Sequence, residues 1–416
     1  MSCAAPRGAA RTHPLLAEGL MLFFPVAALH AAASPLLWIA AFGYQPPFAG
    51  AVPATQWHAH EMIFGAYGAA LAGFLASAIP EWTGTVPRRG RWLLMLLALW
   101  LPGRVVGLLG AEALLLPALL ADSAFWGLLV ATVAAPVLAR RRGGSFLAWL
   151  CVLAAAQAAV KAAWWLDETV LAARLLHAAL AIFVVLLSLA LTRIAVVVIN
   201  LALDPSGETT PYRPHPGRRN LSGFLAAAQG AAALLLPDSL VGAWLALAAG
   251  AAFLDRLAEW FVGRAALRTE VLALGAANGF AGLGFLALGL AGLGAPISQG
   301  AGLHLLAVAG LGMAVMAVFV IAGLRHSGRD LVLPRSARAA FALMAAAGLV
   351  RILPELWPGL ALPGGHHLIA ALLWAAAFGT WLAGFLPLLL RPVGVSEGCA
   401  AEASRGAAQA RSGVRP

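Results

Sequence analysis

Residues Trp57 to Met62 read Trp-His-Ala-His-Glu-Met and open an apolar run long enough to cross a bilayer. Ionisable side chains at membrane depth are costly and are kept mainly where they bind, conduct or coordinate something. Imidazole nitrogen is a common ligand for copper, zinc and heme iron, and helical bundles build such sites from side chains on facing helices. In a regular helix, residues two apart point about 200° from each other. His58 and His60 therefore face different centres on opposite sides of one helix, or the segment is unwound, or only one of them is a ligand. Glu61, next in sequence, is suited to orient an imidazole, to carry protons or to complete a site from another helix. The competing reading is interfacial: Trp57 anchors at headgroup level and both imidazoles are solvated.

The elements that must position this hexad are read from composition. With 62% apolar and 11% charged residues, the chain has too little polar surface for a soluble globule. It is expected to be all-α, a polytopic transmembrane bundle. Apolar runs that suit the roughly 20 residues needed to cross hydrocarbon fall near 15–42, 57–80, 91–110, 114–139, 146–166, 170–203, 221–236, 239–262, 270–294, 299–324, 337–353 and 365–390, about twelve spans. The run 170–203 is over-long and leaves room for a surface-lying stretch. The first run is too long for a signal-peptide core and reads as a retained span. One transmembrane domain, 15–391, is expected between tails 1–14 and 392–416. The glycines of the ninth span, Gly275, Gly279, Gly282 and Gly284, read as a close-packing face.

The formal charge of +10 gives an orientation, not a nucleic-acid partner. All the basic residues but Lys161 are arginine. They recur in alternate connections: Arg7 and Arg11; Arg88, Arg89 and Arg91; Arg140 to Arg142; Arg213, Arg218 and Arg219; Arg264 and Arg268; Arg325, Arg329, Arg335 and Arg338; Arg391 and the tail. The intervening connections hold only Arg104, Arg174 and Arg351. This one-sidedness is the positive-inside pattern, which puts both termini in the cytoplasm and requires an even number of spans. Cys3, Cys151 and Cys399 have no pairing logic and argue against a disulfide framework or a thiolate metal site.

On that orientation, seven of the ten histidines fall in the outer half. They are His30, His58, His60, His177, His304, His366 and His367, and they predict an imidazole-rich outer chamber. His13, His215 and His326 belong to the cytoplasmic side. His30 and His177 also suit plain hydrogen-bonded bundle positions, and the pair His366–His367 suits a loop. Charges inside apolar runs form a second layer: Lys161, Arg193, Asp255, Arg256 and Glu259. Asp255 and Glu259 share a helix face by their spacing, with Arg256 turned away, so pairing with Arg193 or Lys161 is expected. Arg193 also suits a heme propionate, because a guanidinium offers a fork to carboxylates.

The stretch WHAHEMIFGAYGAALAGFLASAIPEWTG from Trp57 resembles the signature of the NnrS family of bacterial membrane proteins, a WHAHEMLFGF-type opening that leads to a VPNWTG-like turn. Gly103 and Arg104 match a Gly-Arg pair of that family, and Arg193 falls where its GGRVIP-like stretch would lie. From Gly302, GLHLLAVAGLGMAVMAVFVIAGLRHSGRDL is similar to the family's ALHALTVGAMG and RASLGHTGRPL segments. Glu81, Arg325 and Ser327 stand where that pattern has Asn, Gly and Thr. The resemblance implies an inner-membrane protein that contains heme, of b type, and copper and is tied to the nitric oxide response, often alongside denitrification. It implies roles for His58, His60, Glu61, His304 and His326. His326 lies 22 residues beyond His304, about 33 Å of helix, so those two cannot serve one site.

The expected function is thus heme or copper binding with nitric oxide as ligand. His58, His60 and His304 are the metal ligands, not necessarily at one centre, and Glu61 and Arg104 are proton-linked or orienting groups. Without a soluble redox domain, electrons would come from quinol or a respiratory partner. The alternative is a proton-coupled secondary transporter that uses the same His/Glu cluster. A third is an assembly partner of a respiratory complex.

Overall fold

The computed structural model describes residues 13–42, 52–109, 115–357 and 359–391. The tails expected at either end, with Arg7, Arg11, Cys3 and Cys399, fall almost wholly outside the described residues. All regular elements among the described residues are helical. In chain order they are α1 (Gly19–Phe42), α2 (Ala54–Thr83), α3 (Arg91–Leu109), α4 (Leu115–Arg140), α5 (Gly144–Trp165) and α6 (Thr169–Leu203). There follow α7 (Pro216–Leu235), α8 (Val241–Trp260), α9 (Thr269–Gly292), α10 (Gln299–His326), α11 (Arg335–Leu356) and α12 (His366–Leu390).

Ten of these are long and apolar enough to cross a membrane among the described residues, so the protein is a multi-pass helical membrane protein. The expectation of about twelve is met at that strength only in part. Helices stand at the third and seventh expected places, but α3 carries Arg91 and Arg104, and α7 opens on Arg218, Arg219 and Asn220. The over-long sixth run is a single helix of 35 residues, about 52 Å. It exceeds the roughly 30 Å of hydrocarbon, so its excess has to project from the membrane or be taken up by tilt.

Burial sorts the helices into a rim and a centre. In α4 and α5 only 33% of the apolar window is buried, whereas α2 reaches 89% and α10 reaches 83%. Helix α1 packs against α2 and α12, α9 packs against α10, and α6 touches both α2 and α10. Rim glycines permit this closeness. A Cβ on Gly284 of α9 would lie 2.7 Å from the backbone nitrogen of Leu306, and one on Gly282 would lie 3.0 Å from the Gly250 carbonyl oxygen. The glycine face expected of the ninth span is therefore real at those two positions.

Both central helices change winding at the same relative place. Glu61–Tyr67 of α2 and Leu305–Gly312 of α10 are π-helical, each starting directly after a histidine. A π segment widens the turn and frees carbonyls from the usual ladder, and such segments recur at functional sites. Here the freed groups find partners on neighbouring helices. The Tyr67 hydroxyl donates to the Ala307 carbonyl at 2.7 Å, and the Trp100 indole donates to the Gly65 carbonyl at 3.3 Å. Tyr67 thus joins one π segment to the other.

The charges of α8 differ from expectation. The α-helix ends at Asp255 and continues as a 3-10 turn over Arg256–Trp260, which breaks the spacing that would align Asp255 with Glu259. Asp255 pairs with Arg218 at 2.8 Å. Arg256 is fully buried and donates to Ser188, Thr192 and Ser222. The α6–α7 connection is closed by Asp204, and hydrogen bonds from the Ser206 and Thr209 side chains hold its carboxyl well below the usual carboxylate range.

Tyr67→Phe leaves the Ala307 carbonyl without its donor in a dry interior, a loss of about 1–3 kcal/mol. Thermal unfolding in detergent should show a lowered midpoint. An unchanged midpoint would mean that the bridge does not hold the two π segments together.

Candidate functional site

Helix α2 enters the bundle on a Pro53 N-cap, and its first turn is fixed from the side: Gln56 donates to the Thr169 carbonyl and accepts from the Trp164 indole, both at 2.8 Å. The two imidazoles that follow part company. His58 lines a cavity of about 540 Å³ between α1, α2, α6, α10, α11 and α12. His60 does not line it and is buried among the rings of Phe64 and Trp164. Of the arrangements open for the hexad, the structure has the one in which the histidines look to opposite sides.

The cavity gathers the imidazoles of His58, His177, His304 and His367. Its walls are otherwise mostly apolar, with Trp38, Met62, Leu180 and Trp374 among them, and among the described residues its one charged lining residue is Arg351. The Trp38 ring lies 4.9 Å from that of His58. The Trp374 indole is fixed by donating to the Ala31 carbonyl at 2.8 Å. Arg351 is held by Glu355, which also accepts from Ser298. No other carboxylate pairs with Arg351 among the described residues.

The imidazole tautomers are constrained. His304 Nδ1 lies 2.7 Å from the Gly300 carbonyl oxygen. A carbonyl only accepts, so Nδ1 carries the proton and Nε2 of the neutral ring keeps a bare lone pair, the orientation common in metal-ligating histidines. His58 Nδ1 is buried with no hydrogen-bond partner among the described residues, a costly arrangement unless something else meets it.

On the other side of α2 lies a closed polar network. Glu61 Oε1 is 3.1 Å from His60 Nδ1, and Glu61 Oε2 is 3.2 Å from His30 Nε2 and 3.1 Å from Arg104 Nε. Arg104 Nη2 donates to Asp122 at 3.0 Å, and Asp122 is 3.3 Å from Lys161 Nζ. Two carboxylates thus face two cations, and all four side chains are nearly or wholly buried. Two glycines make room. A Cβ on Gly65 would meet His30 Nε2 and Arg104 Nη1, and one on Gly103 would strike the Asp122 carboxylate. The Gly103–Arg104 pair is thereby explained: the glycine admits the carboxylate that the arginine binds.

The remaining sequence candidates lie elsewhere. His326, at the far end of α10, is 2.7 Å from Glu18 and 3.8 Å from Glu81. Arg193 stacks 4.0 Å over the Trp82 ring and lines no part of the cavity. The pairings expected of Lys161 and Arg193 with α8 are not formed, since Lys161 pairs with Asp122. Among the described residues no group of three or more His, Cys, Asp or Glu side chains is arranged to hold a metal ion.

Sequence reasoning placed His367 in the outer chamber but missed Arg351 as a cavity residue and Asp122 as a network member. The signals were present. Arg104 and Arg351 are two of the three arginines that break the one-sided charge pattern, and Asp122 is a carboxylate inside an apolar run.

Asp122→Ala strands Lys161 and leaves Arg104 with Glu61 alone, and it should cost about 3–5 kcal/mol of stability. Adding Lys161→Met should recover part of it, because one uncompensated charge goes with it. A single substitution within about 0.5 kcal/mol of the parent protein, followed by chemical denaturation, would sink the network as a structural element.

Compared with known protein families, residues 14–392 match the family described as NnrS protein. No curated protein matches the chain.

Proposed function

Because the chain belongs to the NnrS family, we propose that the cavity beside His58 and His304 takes heme and that the protein acts in the response to nitric oxide or in denitrification-linked metabolism. The observation that carries this reading is the pairing of His304, whose Nδ1 is tied to Gly300, with a mostly apolar cavity of about 540 Å³ that His58 also lines. That volume lies within the range of small-molecule and cofactor sites. Bound heme would supply an iron centre able to take nitric oxide as a ligand and to exchange electrons.

The chain's own residues account for the rest. His304 offers Nε2, and the carbonyl on its other nitrogen fixes the ring plane. His58 offers a second imidazole beside the Trp38 ring. Arg351 offers a guanidinium at the cavity wall, suited to an acidic substituent of the ligand, the part that the sequence suggested for Arg193. Met62, Leu180 and Trp374 exclude water. His60 and Glu61 stand behind α2, where the network with His30 and Arg104 fixes the helix that carries His58. Copper is given no ligand set, since among the described residues no three His, Cys, Asp or Glu side chains are arranged to hold a metal ion. The same chamber lies toward the periplasm of a bacterial inner membrane if the arginine-rich end is cytoplasmic.

The transporter alternative draws no support from the His/Glu cluster. The two carboxylates of the network are matched by two cations, and the network stands apart from the cavity.

The test is an optical spectrum of the purified protein, oxidised and dithionite-reduced, with iron and copper analysis on the same sample. A Soret band with stoichiometric iron is expected, abolished or shifted in His304→Ala and His58→Ala and retained in His326→Ala and Arg193→Ala. A colourless, iron-free protein from a heme-replete host would overturn the reading.

A further inference from the structure

A second large cavity, about 670 Å³, opens between α5, α6 and α7, with no histidine in its lining among the described residues. Its shape follows from one close contact. A Cβ on Gly230 of α7 would lie 2.7 Å from the Ala181 Cβ of α6, so the helices touch there. Two turns earlier the nearest atom to a Cβ on Gly223 is a Val185 methyl at 4.0 Å. The helices therefore splay apart toward the start of α7 and leave a groove floored by small side chains such as Ala227 and Ala231. From Arg219 to Leu234 it follows α7 for 15 residues, about 22 Å, the scale of a lipid acyl chain.

The polar residues gather at the wide end. Ser145 begins α5, Ser188 lies late in α6, and Arg219 and Asn220 begin α7, so antiparallel neighbours bring them to one level. Charge there is unbalanced. Arg219 donates only to Asn220, at 3.0 Å, and pairs with no carboxylate among the described residues. It lies within electrostatic reach of Arg193 and Arg256. The buried Arg256 donates to Ser188, whose side chain is part of the groove wall. Apart from the Arg218–Asp255 pair, which neutralises itself, Glu259 is the carboxylate near Arg256, which leaves three guanidiniums against one carboxylate among the described residues. This is the end of the bundle where the arginines of the alternate connections collect.

We infer that this groove is a binding site for one anionic phospholipid of the arginine-rich leaflet, with its phosphate at Arg219, Asn220 and Ser145 and an acyl chain laid along the α6–α7 floor. An apolar slot that ends in an unneutralised guanidinium at headgroup level matches a lipid that carries net negative charge, because basic residues near that surface attract it. A zwitterionic lipid fills the slot without answering the charge, and a quinone brings no anion. The inference does not depend on the cofactor assigned to the other cavity.

The test is native mass spectrometry of the delipidated full-length protein titrated with phosphatidylglycerol or phosphatidylcholine of matched chains. One phosphatidylglycerol should be retained in preference to phosphatidylcholine. Arg219→Ala should weaken that retention about fivefold, the worth of one guanidinium near an anionic headgroup. Arg218→Ala, which removes a neighbour already paired with Asp255, should leave it unchanged. Ala227→Leu fills the slot with every charge in place and should also reduce retention, and a thermal midpoint for each variant separates lost binding from lost folding. Equal retention of both lipids, an equal loss in Arg218→Ala, displacement by a short-chain quinone, or full competition by glycerol 3-phosphate alone would each overturn the inference.

Discussion

A helix at the centre of a membrane bundle has to satisfy every backbone group internally, yet α2 and α10 both depart from α winding where they carry their histidines. The hydrogen bond from Tyr67 to the Ala307 carbonyl makes the departure tolerable in both at once, because it gives a freed carbonyl of one π segment a donor from the other. The indole of Trp100 does the same for Gly65. Around this pair the rim helices supply glycines, so that backbone can approach backbone. His58 and His304 thereby reach one cavity from two helices.

The two faces of α2 have opposite characters. Toward the cavity the wall is mostly apolar and, among the described residues, no carboxylate pairs with His58 or His304, which leaves His58 Nδ1 and His304 Nε2 available. Toward α3, α4 and α5 the side chains of Glu61, Arg104, Asp122 and Lys161 neutralise one another. A buried ion pair contributes little net stability on its own, and its worth lies more often in fixing register, since any sliding of one helix breaks it. Here it holds the helix that presents His58, and so the polar face acts on the site through position.

The arginines carry three different kinds of work. Most mark one side of the membrane. Arg104 and Arg351 stand on the other side and each has a carboxylate beside it, in the network and at the cavity wall. Arg256 is buried among hydroxyls of α6 and α7, while Arg219 has no acidic partner among the described residues at the mouth of a lipid-sized groove. Charge that the fold does not compensate is where an outside ligand gains most.

Composition and charge pattern alone determined the helical membrane class. The span places agreed closely with the helices, because an apolar run of bilayer length has little choice of structure in lipid. The hexad Trp57–Met62 and His304 were legible as candidate positions because ionisable groups are rare in such runs. Which way each side chain faces was decided only by tertiary structure. The sequence spacing said that His58 and His60 diverge, but not that one meets a cavity and the other Glu61. A regular helical period placed Asp255 and Glu259 together, and the 3-10 turn at Arg256 undid it. The sequence offered Arg193 for an acidic ligand and passed over Arg351, but Arg193 stacks on Trp82 while Arg351 stands at the cavity wall. Local pattern fixes where a residue lies along its helix, whereas the rotation of that helix and its π-helical turns depend on neighbours far away in the chain.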